Sequence, residues 1–348
     1  MCSSNSSYTM KILVLLFILI GLTNSRIYSV SGYAGSFNVL DYGAAADGIT
    51  DDSQALLNAW NDACSSSAGS PEVIIPSNMI FLLRPVILRG PCNSKNIYFV
   101  ALKFIFCSES SISNMYFANS AQTHILIERC NGFKVDNVVI QSPGSSPNTD
   151  GVHIQASQYV SITNSKISSG DDCISIGDYS SNIQIYNIQC GPGHGISIGS
   201  LGKGGNSAQV ENIHVSYAFF YGTTNGARIK TWQVGRGYVR DVTFENLEFN
   251  SVKNPIIIDQ NYCDVRGACK EMVTGVQISN VLYQNIFGTS STDIAINLNC
   301  SMSVPCTDIT MQLIQLTPAT LGKQVTAYCR NVNGQEYGVE PGPCFPQV

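Results

Sequence analysis

The chain has 348 residues, a net charge of −5, and 12% charged against 44% hydrophobic side chains. The charged share is well below the ~25% of an ordinary soluble domain; Ser, Asn, Thr and Gln take its place, as suits an extracellular protein. The acidic balance argues against a nucleic-acid partner, and no charge run or Pro/Ser-rich bridge divides the chain, so one elongated domain is expected.

In chain order, Lys11 precedes the apolar run Ile12–Leu22, and Thr23, Asn24 and Ser25 offer small residues for cleavage. That layout predicts a secretory signal peptide over 1–25 and a mature domain over 26–348. No later segment is apolar enough to cross a membrane, so no membrane partner is expected. Around Asp51–Trp60 an Asp cap leads into an apolar stripe, which predicts a short helix closing the N-terminal end of the fold.

Of the 13 cysteines, Cys2 falls in the predicted leader. The remaining even number, in an oxidising compartment, points to disulfides rather than metal ligands. The expected pairs are Cys173 with Cys190, Cys263 with Cys269, Cys300 with Cys306, Cys329 with Cys344, and Cys64 with Cys92. Cys107 and Cys130 read as buried thiols. None of the spacings resembles a zinc site.

Two strand patterns recur between about residues 125 and 300. The first places alternating apolar residues before an asparagine, at Phe133–Asn137, Ile162–Asn164, Ile183–Asn187, Val242–Asn246 and Val276–Asn280. The second follows each of these, at Asp150–Ile154, Asp172–Ile176, His194–Ile198, Asn225–Ile229 and Asn254–Ile258. Alternation with period two and β-branched enrichment predict strands. A spacing in the low twenties predicts an all-β, single-stranded parallel β-helix, with the asparagines forming an internal ladder.

Asp150, Asp172 and His194 occupy one place in three consecutive repeats, 22 residues apart. Equivalent positions on stacked parallel strands lie about 4.8 Å apart, so two carboxylates and an imidazole should share a face. Asp171 adds a third carboxylate, and Arg228 and Lys230 bring cations to the same ribbon. One Asp beside Gly would be an ordinary turn former; stacked like charges are costly, and their convergence with a His and two cations points to chemistry. Glycoside hydrolysis needs such a set: one protonated carboxyl to assist the leaving oxygen and one ionised. Crowding raises one pKa and keeps an acid protonated, while Arg and Lys suit the carboxylates of an anionic sugar.

At these residues the sequence closely resembles the polygalacturonases of glycoside hydrolase family 28, the plant members most of all. The family's motifs stand as Asn148-Thr149-Asp150, Gly170-Asp171-Asp172, Gly193-His194-Gly195 and Arg228-Ile229-Lys230. The likeness extends upstream to Phe37–Ala44, Asp47–Asp52 and Ser120–Ile125, and downstream through Ile257–Cys263. It implies a right-handed, pectin-lyase-like β-helix that hydrolyses α-1,4-galacturonosyl linkages of polygalacturonate with inversion, secreted to the cell wall as a monomer, without cofactor or metal. By the same resemblance Asp171 is the general acid, and Asp150 and Asp172 activate the attacking water. His194 tunes the acid, and Arg228, Lys230 and Tyr262 bind substrate.

The chain departs from the family near residues 100–101, where roughly two rungs at solenoid repeat lengths are missing, including a segment with paired tryptophans; only Trp60 and Trp232 occur here. This apparent deletion keeps open a catalytically inactive or unstable wall-binding homologue. A rhamnogalacturonan hydrolase is a further alternative, disfavoured by Arg228 and Lys230. Outside the core set, His153 reads as a substrate contact or a plain strand-surface residue, His214 as structural, and Gly202–Asn206 as a flexible loop whose Lys203 meets substrate.

Overall fold

The computed structural model describes residues 35–345, apart from 68–70, 77–78, 85, 87, 94–96, 100–101, 121, 266–268 and 271. The expected leader over 1–25 and the junction at 100–101 lie outside the described residues. Among the described residues no helix is long and apolar enough to cross a membrane.

The chain winds into a parallel β-helix. One face is a nine-stranded parallel sheet made of β1 (Leu102–Ile105), β2 (Ile125–Glu128), β3 (Val152–Gln155), β4 (Ile174–Ile176), β5 (Ile196–Leu201), β6 (Asn225–Trp232), β7 (Asn254–Tyr262), β8 (Ile294–Asn299) and β9 (Thr326–Arg330). A 14-stranded parallel sheet forms the rest of the wall. Register explains the sequence repeat: Ile125, Val152, Ile174, Ile196, Ala227, Ile256 and Ile296 pair in turn. All of them are fully buried. The outward positions between these apolar residues carry His153, Ser175, Ser197 and Arg228 in one unbroken column.

The asparagine ladder forms, but on the surface rather than inside. Asn137 donates to Asn114 at 2.7 Å, Asn187 to Asn164 at 2.8 Å and Asn285 to Asn246 at 2.6 Å. These residues sit at bends with φ between +50° and +57°. Asn tolerates this left-handed backbone, which turns its side chain outward to bond along the stack.

Helix α1 (Ser53–Ser65) closes the N-terminal end and buries Leu56, Ala59 and Ala63, with Trp60 stacked 6.1 Å from Phe99. Asp52 stands at the N-cap, but its side chain accepts from Ala45 N (2.7 Å) and Ala46 N (3.2 Å), pinning the preceding loop, and Asp51 Oδ1 accepts from the first helical N–H, Ser53 N (3.0 Å). All five expected disulfides are present, and Cys107 and Cys130 are buried outside them.

At the same end the stack is uneven. Three short strands, Ser36–Asn38, Glu72–Ile74 and Tyr98–Phe99, extend one column of the large sheet. β1 and the strand Ser108–Ser113 instead stand as edges of their columns. Leu102 and Phe104 of β1 are only partly buried, whereas their register partners Ile125 and Ile127 are fully buried.

Candidate active site

The predicted residues converge at the N-terminal ends and outer face of β3 to β7. Asp150 immediately precedes β3, Asp171 and Asp172 precede β4, and His194 precedes β5; Arg228 and Lys230 lie on β6, and Tyr262 ends β7. Two glycines allow these turns to pack. A Cβ on Gly170 would fall 1.8 Å from the Ser146 carbonyl oxygen, and one on Gly195, at φ +88°, would fall 2.1 Å from that of Asn225. Gly170 N–H also donates to Thr149 Oγ1 (3.0 Å), which ties the turn before Asp171 to the turn before Asp150.

Asp172 is 2% exposed and is the hub of the cluster. Its Oδ1 accepts from Arg228 Nη2 (2.6 Å) and Ser197 Oγ (2.8 Å), and its Oδ2 accepts from Lys230 Nζ (3.0 Å). Two cations on one buried carboxylate neutralise it and fix their own positions. Lys230 also lies 5.5 Å above the Tyr262 ring, which packs edge-on against Trp232. Tyr262 therefore supports the cation from below.

Asp171 and Asp150 have opposite surroundings. Burial pushes the Asp171 carboxyl up, but the hydrogen bond and charge of His194, together with Lys230 and the Asp172 N–H, outweigh it and hold it below the usual range. His194 Nδ1 lies 2.9 Å from Asp171 Oδ1, which also accepts from Asp172 N (2.8 Å). Asp150 is pushed up to about 6, chiefly by burial and then by the Asp172 charge, against the Ser175 hydroxyl bonded to it. The raised carboxyl is Asp150, and burial contributes more to it than the crowding that the sequence suggested.

Asp150, Asp171, Asp172 and Lys230 line a cavity of about 330 Å³ together with His153, Gln155 and Asp178; His194 and Arg228 reach it through their bonds to Asp171 and Asp172. Burial raises Asp178, and likewise Asp259 beside Arg228 on the next rung. His153 is part of the cleft. His214 lies on the other sheet, 2.9 Å from Glu245. Lys203 lies in the Gly202–Asn206 loop, which turns through left-handed glycines; it pairs with Asp264 (3.2 Å) and lies 5.2 Å above the Trp232 ring.

Residues 89–339 match the family described as glycosyl hydrolases family 28. The chain belongs to that family. It is 37% identical to the polygalacturonase QRT2 of Arabidopsis thaliana, covering 89% of this chain and 85% of that one. It is 38% identical to polygalacturonase-2 of Solanum lycopersicum, over 85% of this chain and 78% of that one. The first alignment spans 376 residues, more than the whole of this chain, so the relative carries residues that this chain lacks. Among solved structures, the endo-xylogalacturonan hydrolase of Aspergillus tubingensis superposes with a TM-score of 0.62 at 19% identity, covering 88% of this chain and 100% of that one. The polygalacturonase of Erwinia carotovora does so at 0.61 and 21%, covering 90% and 100%. Both share the family 28 fold.

Ser175, Ser197 and His124 contact the cluster and were not singled out from the sequence. His124 is fully buried, with Nδ1 3.0 Å from the Asp150 carbonyl oxygen and Nε2 2.8 Å from Ser142 Oγ. The signal for the two serines was the repeated Ile-Ser-Ile, in which a small hydroxyl holds the outward position directly after the Asp172 turn and again after the His194 turn.

Proposed function

We propose that this chain hydrolyses the α-1,4-galacturonosyl linkages of polygalacturonate with inversion at the anomeric carbon, outside the cell and in the wall. The observation that carries the reading is the hub at Asp172 in a family 28 chain: it binds Arg228 and Lys230 and lines one cleft with Asp150 and Asp171, the latter bonded to His194. A proton shared across the His194–Asp171 bond passes through Asp171 to the glycosidic oxygen and leaves Asp171 as the carboxylate its surroundings favour. Asp150 takes the proton of the attacking water on the opposite face, and that water closes the new bond as the glycosidic bond breaks. Asp172 has both oxygens engaged; it contributes charge and holds Arg228 and Lys230 toward the carboxylates of the sugar. Tyr262 braces that pair and flanks the bound chain. The five disulfides and the leader-like first 25 residues support export. We place the relatives' extra residues at the junction of Tyr98–Phe99 with β1, where the columns of the stack become unequal.

The test is release of reducing ends from polygalacturonic acid at mildly acidic pH, with chelator present, by the secreted protein and its Asp171→Asn variant. Release by the parent and a fall of about 10²–10⁴-fold in the variant are expected. A folded parent that binds the polymer but releases nothing would leave a wall-binding homologue, and undiminished turnover by Asp171→Asn would remove Asp171 as the acid.

A further inference from the structure

Asp172 and Asp150 are served by two units of the same design. On the first, Arg228 Nε donates to Ser197 Oγ (2.8 Å), and Ser197 Oγ donates to Asp172 Oδ1 (2.8 Å). On the second, His153 Nδ1 lies 2.6 Å from Ser175 Oγ, and Ser175 Oγ donates to Asp150 Oδ2 at 2.6 Å. The four donors form one outward column, His153, Ser175, Ser197 and Arg228, in direct register on β3 to β6. Each serine bonds the carboxylate that precedes the strand one rung toward the N-terminus, 25 residues earlier in both cases. Ser175 is 2% exposed and Ser197 fully buried, although both point outward, because the carboxylates and the column's end residues cover them.

The two units differ in what remains of the carboxylate. Asp172 has both oxygens bound. For Asp150 the serine takes Oδ2. A serine hydroxyl has one hydrogen, so while it points at an ionised Asp150, its oxygen must accept, and Nδ1 of His153 must carry the hydrogen. The imidazole thereby fixes the rotor of the serine, and the serine fixes the plane of the carboxylate.

We propose that Ser175 and His153 are positioning residues for Asp150, a pair that binds Oδ2 and so leaves Oδ1 as the oxygen that takes the proton of the attacking water. This rests on the reading of Asp150 as the base. Asp150 is also faced by Asp171, Asp172 and Lys230, and His153 by Asp172, Lys230, Glu128 and the Gln155 side chain. Among the described residues, the serine-histidine contact supplies the directed hydrogen bond to the ionised carboxylate. Removing it therefore raises the pH at which Asp150 ionises, whereas a merely structural contact would leave that pH unchanged.

The experiment has two arms. In the first, carboxyl carbon NMR follows the titration of Asp150, its signal assigned by loss in Asp150→Asn, in the parent, Ser175→Ala, His153→Leu and His153→Asn. Both Ser175→Ala and His153→Leu move the midpoint to higher pH. His153→Asn, whose amide nitrogen stands near the place of Nδ1, returns it toward the parent value. This arm needs no turnover, so it decides the proposal even if the parent is inactive; an unmoved midpoint in correctly folded Ser175→Ala overturns it. In the second arm, turnover of polygalacturonic acid shows kcat down by about 10- to 100-fold in Ser175→Ala. KM stays close to the parent's, and the acidic limb of kcat/KM shifts to higher pH. A rise in KM alone would make the pair a substrate contact and overturn the positioning role. A silent parent with a moved midpoint would refute the proposed activity and leave the pairing intact.

Discussion

Asp150 combines a function with a cost to stability. An aspartate carboxyl ordinarily titrates near 3.8, and in the fold this one titrates at about 6. Between those values the folded chain holds more protons than the unfolded one, so stability falls as pH rises through that window. Above about pH 6 the full penalty of the buried charge is present, and below about pH 4 it is absent. Asp150→Asn should then be more stable than the parent near pH 7, by about 1–3 kcal/mol, and no different near pH 3. Urea denaturation at the two pH values measures this. The same group sets the activity profile: a base must be ionised, so kcat/KM should fall as pH drops through about 6. Asp172 is the opposite case. Asp172→Ala leaves Arg228 and Lys230 buried without their counter-charge and should destabilise by about 3–5 kcal/mol. A double variant that also replaces Lys230 with Met should recover part of that loss; additive losses would deny the coupling.

At the scale of the element, the strands at and beyond residue 125 were legible because one alternation repeats in register, from Ile125 to Ile296. The three site turns were legible because each interrupts that alternation with a charge at the same position. Their electrostatic assignment was not, because spacing says that Asp150 and Asp171 are near one another but not which of them meets His194. The ladder asparagines show a similar limit: their period is visible in the sequence, but their left-handed backbone, which sends them to the surface, is not. Short cysteine spacings were readable because neighbouring bends bring them together. Cys173–Cys190 closes a 17-residue separation directly after Asp172. Replacing both with Ala should lower stability by about 3 kcal/mol, and heat inactivation should begin at lower temperature with the same substrate affinity beforehand. Unchanged thermal inactivation would mean that the core of β4 alone holds the Asp172 turn.

At the scale of the molecule, a solenoid is stable because each rung buries its neighbours, so its stability is distributed along the axis rather than pooled in one centre. The C-terminal end is closed by Cys329–Cys344 and by Phe345, which is 4% exposed. The N-terminal end is closed by α1 against the column that begins with Ser36–Asn38 and Glu72–Ile74. Among the described residues β1 and the strand Ser108–Ser113 come last in the pairing order of their columns, and Leu102 and Phe104 are less buried than Ile125 and Ile127. Opening these edge strands breaks one set of pairings, whereas opening β4 or β5 breaks two. Native-state hydrogen exchange should therefore be fastest at residues 102–113, slower at 332–340, and slowest from 152 to 258, where the site sits. Uniform protection along the axis would show that the whole stack opens as a single unit, and that the N-terminal end is held as firmly as the middle. The graded outcome would have two consequences. The cleft residues would keep their geometry, because the nearest of them, Asp150, is followed on its N-terminal side by the fully buried pair Ile125 and Ile127 before the edge is reached. The edge itself would be where association between chains begins.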